Sequence, residues 1–205
     1  MNARPTLNLT HAPLLAALAA LLIGGAGCSV LKPKADLTQF HVLRAQSTGT
    51  AVSGAIASRE IRVGPGGIAA YLENNRIAVE QGPNRVDYLD VYRWAEPVSK
   101  GVSRVLAENL ARRVAGADLS LYPNPPLTDS GFEIRYNVER FEGTLAGPVT
   151  LEVSWQLVDR ASGTAMARKR SAYTVPLQGK RTDVGAYVER LSDALRPKLQ
   201  APLAI

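Results

Sequence analysis

Few side chains in this chain of 205 residues are suited to chemistry. The chain has one cysteine, Cys28, and two histidines, His11 and His41. A single thiol forms no internal disulfide and builds no cysteine cluster for a metal, and two histidines are too few for a multi-histidine centre. We therefore expect no metal and no other cofactor, and the chemistry left to Cys28 is modification of its own thiol.

Two glycine-containing segments were weighed as phosphate sites, but each lacks part of the signature. Residues 64–67, Gly-Pro-Gly-Gly, have neither the lysine nor the serine or threonine of a P-loop. Residues 179–182 lack the upstream glycine, so a simple helix-entry turn is favoured. No G-x-S-x-G motif occurs, and Glu133, Glu139 and Glu152 are interpreted as the polar face of a sheet. The chain is therefore predicted not to be an enzyme.

An apolar run precedes Cys28. Residues 12–23 are twelve residues without a charge. That is too short for a bilayer core, which takes about 20 helical residues, but it fits the h-region of a secretory signal peptide. Small residues at 24–27 then lead directly into Cys28. The segment resembles the bacterial lipobox, in which the cysteine thiol receives diacylglycerol, although Gly25 stands where the usual pattern has leucine.

The lipobox resemblance implies a signal peptide over residues 1–27, acylation of Cys28 and a lipidated tether over residues 28–37. Several acyl chains hold firmly, since each buried methylene contributes about 0.8 kcal/mol. Ser29 follows the cysteine where aspartate favours inner-membrane retention, so the outer membrane is expected. Two alternatives remain open: an ordinary signal peptide with an incidental cysteine, and retention of the segment as a single transmembrane anchor.

Composition and charge describe a globular protein with a basic balance. Hydrophobic residues are 46% of the chain, charged residues are 20%, and the formal net charge is +6. The basic residues are scattered, and the densest cluster is only residues 168–170, Arg-Lys-Arg. We therefore expect no nucleic-acid partner. Diffuse positive charge also suits a protein that works beside anionic lipid head groups.

Residue periodicity predicts one α/β domain over residues 38–205, with a mixed, largely antiparallel sheet and two long helices packed on it. The helices are expected over residues 97–115 and 183–196, the second capped by Thr182. A proline-rich loop is expected over residues 122–131. Strands are expected at residues 39–43, 56–63, 77–79, 86–92, 132–139, 149–157 and 165–175, with a turn at 64–67; the last three form an antiparallel meander.

An aromatic and charged segment lies at the predicted junction between a strand and the first helix. Residues 92–97 read Tyr-Arg-Trp-Ala-Glu-Pro. Tryptophan beside arginine is typical of interface hot spots. The alternative is that Trp94 packs over the start of the helix and sets its entry angle. The two interpretations are compatible, and the sequence favours neither.

Several of these residues together resemble a known family. The segments are residues 61–65 (Ile-Arg-Val-Gly-Pro), Tyr71-Leu72, Arg76-Ile77, residues 93–98 (Arg-Trp-Ala-Glu-Pro-Val) and residues 105–110 (Val-Leu-Ala-Glu-Asn-Leu). In this order they look like the PqiC/YmbA-type ABC-transport auxiliary lipoproteins. The lipobox and the terminal helix fit the same order, so the resemblance covers nearly the whole mature chain.

The resemblance implies an outer-membrane lipoprotein that faces the periplasm. It implies work with a periplasmic MCE-domain protein and inner-membrane transport components, in a system that moves lipid between membranes and supports envelope integrity. Whether the chain forms a homo-oligomer is left open by the resemblance. Two alternatives are a periplasmic carrier that binds lipid in its own apolar cavity and an envelope scaffold unrelated to transport. The residues expected at the partner interface are Tyr71, Leu72, Arg76, Arg93, Trp94 and Glu96.

Overall fold

The computed structural model describes residues 35–46, 59–114 and 116–196. The chain divides into two units, Met1–Leu37 and Thr38–Ile205. Every helix and strand described here lies in the second unit. The predicted signal peptide, Cys28, most of the tether, residues 56–58 of a predicted strand and Pro197 lie outside the described residues.

The described residues of the second unit contain two α-helices and eight strands. Along the chain they are β1 (Gln39–His41), β2 (Glu60–Ile68), β3 (Arg76–Gly82), β4 (Arg85–Trp94), α1 (Val98–Arg113), β5 (Asp118–Leu121), β6 (Phe132–Gly143), β7 (Val149–Asp159), β8 (Ala165–Val175) and α2 (Val184–Ala194). A short 3₁₀ turn, Ala70–Leu72, lies between β2 and β3. The mixed α/β fold class with two helices is confirmed.

The strands form two sheets rather than the single sheet expected from the sequence. A three-stranded sheet has the order β1-β4-β3, with β1 parallel to β4 and β3 antiparallel to it. A five-stranded sheet has the order β5-β2-β6-β7-β8. Its β6-β7-β8 part is the predicted antiparallel meander, whereas β2 runs parallel to both β5 and β6. Strand β5 was not predicted, since its four residues carry too short a pattern.

The predicted turn at residues 64–67 is wrong, because β2 continues through these residues to Ile68. A register shift lies between Val63 and Gly66, and Gly66 pairs with Tyr136 of β6. A Cβ at Gly66 would collide with the Tyr136 ring. The Tyr136 hydroxyl lies 2.5 Å from Ser103 Oγ of α1. The glycines therefore make room for an aromatic side chain, and they do not form a phosphate loop.

Both helices begin close to where the sequence places them. Pro97 is the residue before the first turn of α1. Apolar residues recur along α1 at helical spacing; Val98, Val102, Val105 and Leu110 are buried, and Leu106 is half-buried. At α2 the predicted cap is wrong by one residue, because the Asp183 side chain accepts the Ala186 N–H at 2.9 Å. Aspartate is at least as good a helix cap as threonine. Asp183 directly precedes the first residue of α2, so it is the residue that caps the helix.

The proline-rich loop is confirmed, and Glu60 of β2 holds it. The carboxylate accepts hydrogen bonds from the Leu127 and Thr128 N–H groups, from the hydroxyls of Ser120 and Thr128, and from Arg160. Its side chain is 2% exposed. Burial alone would raise the pKa of Glu60, but these hydrogen bonds outweigh burial and lower it to about 2.

The buried apolar residues of both sheets and both helices form one core cluster. Helix α1 packs against β2 and β5, and α2 packs against β7 and β8. The Tyr187 hydroxyl of α2 donates to the Ala78 carbonyl of β3 at 2.8 Å and accepts from the Gly143 N–H of β6 at 3.0 Å. Tyr187 therefore links the two sheets. Within the described ranges, no helix combines the length and hydrophobicity that a bilayer crossing requires.

Candidate functional site

Residues 42–46, which follow β1, form backbone hydrogen bonds with side chains of both helices. The Arg44 N–H donates to Ser192 Oγ of α2 at 3.2 Å. The Gln46 N–H donates to Asn109 Oδ1 of α1 at 3.1 Å. These bonds hold the segment that follows β1 against both helices. We call this segment and the side chains that bond its backbone the clasp.

Arg104 of α1 completes the clasp from the side of the first helix. Its guanidinium donates to the Leu43 carbonyl at 2.9 Å, to Glu96 at 2.5 Å and to Glu108 at 3.1 Å. The hydrogen bond to Glu96, followed by that to Glu108, raises the pKa of Arg104 against the opposing effect of burial. Two carboxylates therefore fix the guanidinium at the point where it meets the segment.

Asn109 is the buried centre of the clasp, with no exposed surface. Besides accepting from Gln46, its side-chain amide donates to the Leu195 carbonyl at the end of α2 at 3.2 Å. Asn109 therefore joins three parts of the chain. It was missed as a functional residue, although a signal exists: it lies four residues after Val105 and seven after Val102, on the apolar stripe of α1.

Two of the segments that carry the family resemblance contribute residues to the clasp or to its support. Glu96 lies in the Arg-Trp-Ala-Glu-Pro segment, and Glu108 and Asn109 lie in the Val-Leu-Ala-Glu-Asn-Leu segment. These residues bind residues 43–46 directly or through Arg104. Two segments of the family resemblance therefore supply the side chains that hold residues 43–46, which follow β1.

Two grooves flank the clasp. One of about 570 Å³ lies beside α1 and is lined by Arg44, Arg104 and Arg112, with Glu96 and Glu108. The other, about 440 Å³, lies between residues 40–46 and the α2 side chains that face them. Both are open to solvent and partly polar, so neither is an enclosed apolar cavity.

The structure brings together two of the six expected interface residues, Arg76 and Arg93. They pair across β3 and β4, and Phe40 of β1 pairs with Arg93 from the other side. Paired residues share a face of a sheet, so the three form one row. Phe40, which was not among the expected interface residues, is 67% exposed. Its place in the row depends on strand register, which the sequence pattern does not show.

Tyr71 and Leu72 lie on the 3₁₀ turn, apart from the clasp. Leu72 is buried, whereas Tyr71 is 37% exposed. The Tyr71 hydroxyl donates to Glu142 at 2.6 Å, and the Tyr88 hydroxyl donates to the Tyr71 carbonyl at 2.7 Å. Burial, followed by the hydrogen bond to Glu142, raises the pKa of Tyr71. Tyr71 therefore presents a neutral, well-oriented ring at the surface.

Trp94 and Glu96 lie at the junction between β4 and α1. Trp94 is 8% exposed, and the backbone N–H of Trp94 donates to the Asn75 carbonyl at 2.7 Å. The burial of Trp94 agrees with the packing alternative, and a contact between Trp94 and a partner stays a prediction. Glu96 is half-buried in its ion pair with Arg104. The six expected residues are therefore spread over three places.

The other titratable groups singled out in the sequence have structural partners or a buried position. Glu133 pairs with Arg62 and Arg135, and Glu139 and Glu152 both pair with Arg170. His41 is half-buried, and desolvation lowers its pKa. Across the described ranges, no group of three or more His, Cys, Asp or Glu side chains is placed to hold a metal ion.

A known protein family matches most of this chain. The family model of the ABC-type transport auxiliary lipoprotein component matches residues 41–198. The chain belongs to this family, as the resemblance in the sequence led us to expect. The matched range begins at the last residue of β1 and includes the whole clasp.

Solved structures show the same fold at low sequence identity. An uncharacterized protein is similar at a TM-score of 0.61 and 16% identity, over 78% of this chain and 92% of that one. The protein XCC0632 from Xanthomonas campestris, a member of the DUF330 family, is similar at 0.56 and 17% identity, over 77% and 88%. No curated protein matches the sequence. At these identities the two structures support the fold alone.

Proposed function

We propose that the chain is a non-catalytic auxiliary subunit of an MCE/ABC-type system that moves lipid between membranes. In this proposal residues 1–27 are removed, acylated Cys28 anchors the chain in the outer membrane, and residues 28–37 are the tether. The domain of residues 38–205 then faces the periplasm. Family membership and the lipobox-like segment before Cys28 support this assignment.

The observation that carries the proposal is the clasp. In the proposal, the anchor acts on the domain through the chain that joins them. Bonds from Ser192, Asn109 and Arg104 join residues 43–46 to both helices. Residues 43–46 are therefore held by the helices of the domain.

The proposed mechanism is positional. An extended tether of nine residues between Cys28 and Thr38 reaches at most about 30 Å. Confinement close to one membrane raises the effective concentration of the domain near the end of a periplasmic conduit, as linking two modules does. Because the domain only docks, this role requires no catalytic group.

The protein-facing surface in this proposal centres on Tyr71. Tyr71 is exposed and held by hydrogen bonds, so little side-chain entropy is lost when a partner covers it. Leu72 is buried on the same 3₁₀ turn, a contact between Trp94 and a partner stays a separate prediction, and Glu96 acts through the clasp. The carrier alternative has less support, because the grooves beside the clasp are open and partly polar.

A binding experiment tests the proposed surface. In pull-down of the MCE-domain partner from the same envelope, Tyr71→Ala is expected to weaken binding about tenfold, the effect of removing one interface hot spot. Tyr71→Phe keeps the ring and should retain most of the binding. Tyr122→Ala removes another exposed tyrosine, on the proline-rich loop, and is the matched control. Equal losses at Tyr71 and Tyr122, or no loss at either, would contradict this surface.

A further inference from the structure

Residues 40–46 carry or contact three arginines that have no carboxylate partner in the described parts of the chain. Arg44 is in the segment, is exposed, and lines both grooves. Arg93 pairs with Phe40 across the sheet and donates only to the Leu89 and Tyr92 carbonyls. Arg112 donates to the Ala45 carbonyl at 3.1 Å.

The carboxylates near this segment are already paired. Glu96 and Glu108 both bind Arg104, and Glu189 lies 3.5 Å from Arg181. Around residues 40–46, Arg44, Arg93, Arg104 and Arg112 outnumber Glu96 and Glu108, which share Arg104, and a net positive charge remains. Phe40 adds a large exposed apolar group at the start of the same segment.

We propose that Phe40, Arg44, Arg93 and Arg112 form a surface that contacts the anionic phospholipid head groups of the membrane carrying the anchor. Charge complementarity selects this occupant, since an anionic lipid surface attracts each nearby arginine by about 1 kcal/mol. An exposed phenylalanine beside arginines also suits the boundary between head groups and acyl chains.

The length of chain before the surface allows this contact. Phe40 follows Cys28 by twelve positions, so the surface lies within about 40 Å of the anchored residue even when the intervening chain is extended. The inference rests on the proposed anchor at Cys28. It adds that the domain itself has a membrane-facing side, whereas the anchor alone would leave its orientation free.

Sedimentation with vesicles tests the proposal without the anchor. The mature chain from residue 28 carrying Cys28→Ser has no acyl groups, and all the described helices and strands lie after the tether. It is expected to bind phosphatidylcholine vesicles that contain 30% phosphatidylglycerol, to bind pure phosphatidylcholine weakly, and to lose binding as salt screens the charges. Equal binding to both kinds of vesicle would overturn the proposal.

Single substitutions locate the contact. Arg44→Gln is expected to weaken binding to the anionic vesicles about fivefold, and Phe40→Ser should also weaken it; both side chains are exposed, so folding is not at risk. Arg168→Gln removes the same charge from exposed β8 and should have little effect. If Arg168→Gln weakens binding as much as Arg44→Gln, only the overall charge matters and the proposal fails.

A further outcome separates lipid from protein. If Arg44→Gln leaves vesicle binding intact but weakens pull-down of the MCE-domain protein, the surface is a protein contact and the lipid proposal fails. Because these experiments use unacylated protein, their failure leaves the proposed anchor and the Tyr71 surface to their own tests.

Discussion

Replacing Asn109 with alanine is expected to destabilise the domain by about 3 kcal/mol. The substitution removes the partner of the buried Leu195 carbonyl and of the half-buried Gln46 N–H, and each buried unsatisfied polar group costs about 1–3 kcal/mol. For a domain of this size the loss corresponds to a decrease of roughly 6–12 °C in the melting temperature. Thermal unfolding followed by circular dichroism measures it.

Asn75→Ala is the matched control, because Asn75 is exposed and its contact with Trp94 is made by the backbone carbonyl. Its effect should stay within about 0.5 kcal/mol. Hydrogen exchange gives a local readout: the Gln46 amide should lose protection in Asn109→Ala, while amides paired between β6 and β7 keep theirs. A variant as stable as wild type, with Gln46 still protected, would show that Asn109 does not hold the clasp.

Glu60→Gln is expected to destabilise the domain by about 3 kcal/mol at neutral pH, and the difference should shrink in acid. The pKa of Glu60 is lowered from 4.5 to about 2 in the folded chain. The ionised carboxylate therefore contributes stability above about pH 4.5, and that contribution is lost as the pH falls toward 2. A shift of this size is worth about 3 kcal/mol, since each pKa unit corresponds to 1.36 kcal/mol.

Urea unfolding at several pH values between 7 and 3 measures this effect. Wild type should lose stability more steeply with falling pH than Glu60→Gln, because glutamine has no proton to bind. Glu73→Gln, at an exposed position after the 3₁₀ turn, is the control and should follow wild type. Parallel pH profiles for wild type and Glu60→Gln would contradict the assigned role of the carboxylate.

The elements that the sequence predicted correctly are those with a local, repeating pattern. In β6 and β7 apolar and polar residues alternate, and in α1 and α2 apolar residues recur at helical spacing. Each pattern reports which side of one element is buried, and that side depends on neighbouring residues in the sequence. The fold class and the β6-β7-β8 meander follow from such patterns.

What the sequence did not predict depends on partners that are distant in the chain. Glycine and proline at residues 64–67 are typical of a turn, and only neighbours distant in the chain explain the glycines of this strand: a Cβ at Gly66 would meet the Tyr136 ring, and one at Gly67 would meet Asn137 Oδ1. The parallel pairs of β1 with β4, and of β2 with β5 and β6, join segments that are not consecutive. No local pattern encodes them, so the division into two sheets was missed.

The residues of the candidate site likewise fall into those that the sequence could indicate and those that it could not. A polar residue on an apolar helical stripe was a readable signal for Asn109. The bond from Arg104 to the Leu43 carbonyl leaves no trace in composition, because it links a side chain to a backbone 61 positions away. The row of Phe40, Arg93 and Arg76 likewise depends on the register of two strand pairs.

The anchor at Cys28 is the claim on which the positional role depends, and mass spectrometry of the mature protein from its native membranes tests it most directly. We predict that the chain begins at Cys28 and carries a diacylglycerol thioether together with an amide-linked acyl chain. A free thiol at Cys28, or a chain that keeps residues 1–27, would contradict the anchored role.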